Sequence, residues 1–153
     1  MNTLDTLIAD SPVFAGLDPA YLELIAGCAQ TAGFEADQYL FREGDQADTF
    51  YLVRHGRVGI ETVVAGQGAL TVETVDAGDV VGWSWLFRPF RWHFDARAID
   101  PVRAIAFDGA CLRGKCDQDH TLGYELLNRF SPVMLERLLA TQLQLIDVYG
   151  GAA

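Results

Sequence analysis

Between Tyr39 and Asp108 the chain is cut by glycine-bearing turns roughly every ten residues, which confines this stretch to short antiparallel strands. The turns are Glu43-Gly44-Asp45, His55-Gly56, Gly66-Gln67-Gly68 and Asp76-Ala77-Gly78-Asp79. Between and beyond them lie β-rich runs at Tyr39–Phe41, Thr49–Val53, Val58–Val64, Leu70–Val75 and Val102–Phe107. Val58-Gly59-Ile60-Glu61-Thr62-Val63 and Leu70-Thr71-Val72-Glu73-Thr74-Val75 alternate as strands with one buried face do. The expected architecture is mainly β over about 34–108, an antiparallel barrel or sandwich of short strands.

Helical signals flank this region. Ser11-Pro12 and Asp18-Pro19 each place a capping residue before a proline at the first helical position, so N-terminal helices are expected over about 3–30. C-terminal helices are expected over about 110–149, with Pro132 breaking or restarting the helix. Leu135, Leu138, Gln142, Leu145 and Tyr149 form a seam near heptad spacing. Such a seam suits either pairing with a second copy or packing on the chain's own β-roll.

Eleven Lys and Arg against 21 Asp and Glu leave a net charge of -10 in 153 residues. That balance repels phosphate backbones and anionic headgroups, so direct nucleic-acid and membrane binding are not expected. No basic residue precedes Arg42 and no apolar run approaches membrane-spanning length, which points to a cytoplasmic chain of one domain. Three cysteines, Cys28, Cys111 and Cys116, are too few for a disulfide framework. Cys111, Cys116 and His120 carry metal-ligand chemistry but lack a clear fourth partner, so neither metal nor cofactor is expected. No nucleophile motif, P-loop or dinucleotide fingerprint is present, and no enzymatic activity is expected.

Four motifs then narrow the fold. Phe41-Arg42-Glu43-Gly44-Asp45, Phe50-Tyr51-Leu52-Val53-Arg54-His55-Gly56-Arg57-Val58, Gly78-Asp79-Val80-Val81-Gly82 and Ala96-Arg97-Ala98 occur in this order. Together they resemble the cyclic nucleotide-binding domain of Crp/Fnr regulators and protein kinase A regulatory subunits, over nearly the whole chain. The resemblance implies an antiparallel, jelly-roll-like β-roll and, after Gly82, a phosphate-binding cassette where an Arg neutralises the cyclic phosphate and a Glu accepts the ribose hydroxyl. Here Trp83 stands where that Glu belongs, Trp92 where the Arg belongs, and His93 where a Ser or Thr follows it. Arg91 is one residue out of register. Thr141 falls where Crp-type regulators contact adenine, and Arg137-Leu138 also match that helix.

All three tryptophans of the chain lie between Trp83 and Phe94, beside Arg88, Arg91, His93 and Asp95. These rings either plug the mouth of the roll or line a pocket for a planar effector. In the second case the ligand-binding residues are Trp83, Ser84, Arg91, Trp92, His93 and Thr141, with Asp95 able to orient His93. Arg91 makes an anionic effector the better match. The reading is a stand-alone, non-catalytic sensor in signal transduction, homodimeric through the seam, that binds cAMP or cGMP poorly. No winged helix-turn-helix is expected after the last helix. The alternative is a ligandless interaction domain that serves a protein partner.

Overall fold

The structure is a computed structural model that describes residues 3–150. Two helices, α1 (Thr3–Ala9) and α2 (Pro19–Ala26), lead into eight strands, and two more helices follow. The strands are β1 (Ala29–Phe34), β2 (Tyr39–Phe41), β3 (Thr49–His55), β4 (Val58–Val64), β5 (Gly68–Val75), β6 (Val80–Val81), β7 (Asp95–Ala98) and β8 (Val102–Asp108). The helices α3 (Gly109–Gln118) and α4 (His120–Gly150) complete the chain. Among the described residues the strands form two antiparallel sheets, in the orders β1-β8-β3-β6 and β2-β7-β4-β5. This is the antiparallel β-roll with flanking helices that the resemblance implies, built from the short antiparallel strands that the turn spacing predicts.

Three strands lie outside the β-rich runs of the sequence: β1, the two-residue β6 and β7. Ala29-Gln30-Thr31-Ala32-Gly33-Phe34 has no large apolar residue before Phe34, yet it pairs along its whole length with β8. The helix α2 ends at the Gly27 cap, and β1 begins at Ala29. β7 lies between β2 and β4, so backbone pairing on both sides supplies what its sequence does not advertise.

The helix signals divide in the same way. Asp18 caps α2 as expected, accepting from the Ala20 amide at 2.8 Å, with Pro19 at the first helical position. Ser11 does not cap a helix: its hydroxyl donates back to the Ile8 carbonyl at 2.7 Å, and residues 12–16 are turns. Pro132 does not interrupt α4, which runs through it without a break. Both Pro132 and Asn128, whose carbonyl loses its helical partner there, are exposed to water. Leu122, Leu126 and Phe130 fix the first part of α4 in the core, as their stripe predicts.

Cys28 and Cys111 are joined in a disulfide across 83 residues, against the sequence expectation. The β1–β8 ladder explains how they meet. Ala29 is opposite Phe107, and the Asp108 amide donates to the Cys28 carbonyl at 2.8 Å. One helical turn later Cys111 comes round to face Cys28. Cys116 remains free, and among the described residues no cluster of His, Cys, Asp or Glu could hold a metal ion.

Phe14, Phe50, Trp85, Phe107 and Phe130 form the aromatic centre of the core, all fully buried. Phe50 stacks on Trp85 at 4.4 Å and on Phe107 at 4.7 Å, while Phe130 meets Trp85 edge-on at 5.4 Å. This cluster clamps the start of α4 against the roll. The rest of α4 projects beyond it.

Candidate functional site

The segment from Gly82 to Phe94 divides its aromatic rings between core and cavity. Gly82 has φ +77°, a conformation that suits glycine, and a Cβ there would sit 2.3 Å from Cζ3 of Trp92. Trp92 therefore lies directly on the Gly82 backbone, and it stacks on Phe41 with ring centres 3.8 Å apart and planes 5° apart. A single 3-10 turn, Ser84–Leu86, then turns Trp85 into the core. Trp83 stays half-buried.

These choices leave a cavity of about 670 Å³ between the cassette, β5 and α4. That volume is in the range of small-molecule sites. Phe41, Ile60, Val72, Trp83, Trp92, Phe94, Met134 and Leu138 form its apolar walls. The polar lining is Glu73, Thr74, Ser84, His93, Arg137, Thr141 and Gln144. A larger depression of about 840 Å³ near Glu35, Asp37, His55 and Arg103 is shallow and shares no residue with the cassette.

Of the six residues expected to bind a ligand, the structure places Trp83, Ser84, Trp92, His93 and Thr141 around this cavity. Trp92 contributes only an edge, being 4% exposed. The Thr141 hydroxyl donates to the Arg137 carbonyl one turn back at 2.9 Å. Arg91 is elsewhere. Its backbone pairs with Gln46 and its guanidinium donates to the Gly44 carbonyl at 2.9 Å, which holds it outside the cavity. Asp95 does not orient His93 either: it is buried, accepts from the Glu43 amide at 2.7 Å, and pairs with Arg42 at 3.4 Å.

The cavity's cation is Arg137, the only Arg or Lys in its lining. The sequence reading named it only as a helix match. Its Nε lies 2.6 Å from a Glu73 carboxylate oxygen, and its Nη2 donates to the Val80 carbonyl at 2.9 Å. The guanidinium also lies over the Trp83 ring, 5.2 Å from its centre. One arginine on α4 thus ties the helix to β5, β6 and the cassette. Burial pushes the Glu73 carboxyl above the usual carboxylate range; Arg137 pulls it back only in part, and Asp79 and Glu136 add to the rise. Elsewhere, Arg97 of the Ala96-Arg97-Ala98 motif binds buried Glu61 at 2.7 and 3.0 Å. Those hydrogen bonds hold the Glu61 carboxyl below its usual range. This second pair ties β7 to β4 and takes no part in the cavity.

The exposed part of the expected seam is now explicit. Leu135, Leu138, Leu145 and Tyr149 are 50–77% exposed, and Gln142 is exposed as well. Leu139, Leu143, Ile146 and Val148 of the same helix are exposed as well. Of the seam only Leu138 also faces the chain's own roll, as part of the cavity wall.

Comparison with known proteins agrees with this geometry. The family model for the cyclic nucleotide-binding domain matches residues 32–119. A CRP-like cAMP-activated global transcriptional regulator of Mycobacterium tuberculosis is 24% identical over 145 residues, covering 95% of this chain and 63% of that protein. The cAMP-dependent protein kinase regulatory subunit of Schizosaccharomyces pombe is 32% identical over 78 residues, 51% of this chain and 18% of its own length. The chain thus spans less than two thirds of these relatives. Among solved structures, a Geobacter metallireducens protein assigned to cyclic nucleotide binding superposes with a TM-score of 0.80 at 30% identity, covering 90% of this chain and 99% of its own. The sensor domain of the Pseudomonas aeruginosa regulator DNR superposes at 0.70 with 18% identity, over 88% of this chain and 90% of its own, which shows the shared fold. The motifs, the two-sheet roll and the family match together place this chain in the cyclic nucleotide-binding domain family.

Proposed function

We propose that this chain is a non-catalytic regulatory module whose effector is a small molecule held between the cassette and α4, and that it binds cAMP and cGMP poorly. The observation that carries the reading is the cavity itself. It is walled by aromatic rings, carries a few convergent polar groups, and is closed on one side by a helix that continues outward as an uncovered apolar surface. A ligand in that place touches α4 directly, so occupancy can change how the helix presents that surface. Homodimerisation through α4 and a cytoplasmic setting belong to the same proposal. Among the described residues, no helix is long and apolar enough to cross a membrane.

Poor nucleotide binding follows from what fills the cassette. The indole of Trp92 covers Gly82, and Trp83 cannot accept a ribose hydroxyl. A missing charge-assisted phosphate contact and a missing ribose hydrogen bond each forfeit about 1.5–3 kcal/mol. Their combined loss is about two decades of affinity or more. Calorimetry is expected to show cAMP and cGMP binding weaker than about 100 µM, against the micromolar affinity expected of an intact cassette. Low-micromolar binding of either nucleotide would contradict the reading of the cassette.

A further inference from the structure

The cavity holds one cation, and that cation is already taken. Arg137 reaches across from α4 and meets the Glu73 carboxylate of β5 at 2.6 Å, with both side chains largely withdrawn from water: 15% and 31% exposed. An anionic ligand seeking a charge partner in this cavity finds it neutralised by the protein's own carboxylate. We propose that Glu73 is a built-in competitor, so that the site takes a planar anion only by exchange for the Glu73 carboxylate at Arg137, with uptake of one proton by Glu73. This inference rests on the reading of the cavity as a ligand site.

The proton follows from the surroundings of Glu73. Arg137 is the one positive group facing it from α4, and Glu136 on the same helix is negative. Asp79, in the turn after β5, adds a second negative charge, with Asp76 acting on Asp79 in turn. His93 lines the same cavity from the segment before β7. Once an anion captures Arg137, a charged Glu73 is left partly buried among like charges, which favours its neutral form. The carboxyl is displaced upward even while Arg137 is bound to it, and losing Arg137 removes the one group that holds it down. Anion binding therefore strengthens as pH falls, from neutral down to the point where Glu73 is protonated in the free protein. Below that point it levels off, because no proton remains to be taken up. A neutral planar ligand leaves the Glu73–Arg137 pair intact and shows no such dependence. The exchange also detaches α4 from β5, which couples the charge of the ligand to the mooring of the helix.

The test uses 1-naphthoate and its neutral amide, 1-naphthamide, titrated calorimetrically into the full chain in buffers of different ionisation heat. Naphthoate is expected to bind with uptake of close to one proton near pH 7 and to gain up to about tenfold in affinity per pH unit on acidification. Naphthamide is expected to bind without proton uptake. In Glu73→Gln, naphthoate is expected to bind about tenfold or more tightly near pH 7, without proton uptake and with a flat pH profile. His93→Gln is expected to leave the wild-type dependence in place. Naphthoate binding to the wild type without proton uptake overturns the inference, as does a pH slope that survives in Glu73→Gln or vanishes in His93→Gln. If the amide binds and the acid binds to neither form, the exchange fails while the cavity stands as a ligand site. If neither compound binds to either form, the ligand-site reading falls and takes the inference with it.

Discussion

Replacing Trp85 with alanine is expected to lower folding stability by about 3–5 kcal/mol, while Trp83→Ala costs only about 1–2 kcal/mol. Trp85 is 0% exposed and packs face-on against Phe50 and edge-on against Phe130. Its removal opens a cavity at the point where α4 is clamped to the roll, and the rings around it cannot all close in. Trp83 is half-buried along the ligand cavity, so truncation there mainly enlarges an existing space. Trp85→Phe is the informative control. The Trp85 indole nitrogen is buried with no hydrogen-bond partner, so losing it removes an unsatisfied donor and offsets part of the lost volume. Urea unfolding of the three variants gives the order directly. Equal losses for Trp83→Ala and Trp85→Ala would mean that both rings are core and that the cassette is a plug.

The second large effect concerns self-association. Leu135→Glu combined with Leu145→Glu is expected to convert a dimer into a folded monomer. Both leucines are half or more exposed on α4, and neither lines the ligand cavity, so the pair separates the dimer surface from the site. Leu138 is unsuitable because it belongs to both. Burying a leucine contributes about 1.5–3 kcal/mol, and a symmetric interface loses four of them. A loss of about 6 kcal/mol is roughly four decades in the dimer dissociation constant, before the cost of burying the new carboxylates. Sedimentation of the wild type at tens of micromolar (about 10–50 µM, typical for micromolar dimers) checks this. A wild-type monomer in that range would contradict the proposal, because the variant would then have nothing to disrupt.

The sequence is most informative where local chemistry decides the structure. The Asp18-Pro19 cap, the strands Tyr39–Phe41 and Val58–Val64, and the Leu122, Leu126 and Phe130 stripe all stand where spacing and turn residues predict. It is least informative where tertiary pairing decides. β1 is a strand because β8 offers it a complete ladder, not because Ala29 to Phe34 alternates. Cys28 and Cys111 meet because that ladder ends beside them, and their separation of 83 residues gives no local signal. Pro132 is accommodated where both it and Asn128, one turn back, are exposed to water.

The site shows the same division. The cassette residues are adjacent in sequence, so most of one cavity wall is visible there as a run of aromatics. Arg91 is the obvious cation within that run, yet the backbone pairing of Arg91 with Gln46 holds it at Gly44. The cation that reaches the cavity comes from α4, beyond β7, β8 and α3 in the chain, and its partner Glu73 comes from β5. Neither residue carries a mark of that role in its own neighbourhood. Only the packing of α4 across β5 joins them.

The central claim is that the cavity between the cassette and α4 takes a small molecule. Three tryptophans give three indole N–H signals in a proton–nitrogen spectrum, and the structure places them differently: Trp83 on the cavity wall, Trp92 at its edge, and Trp85 in the core. A titration series of nucleotides, aromatic acids and haem is expected to contain a compound that moves the Trp83 signal strongly and the Trp92 signal less, and leaves Trp85 in place. A series in which no compound moves Trp83, or in which any shift is shared equally by Trp85, would contradict the account and favour a domain that acts through its surface alone.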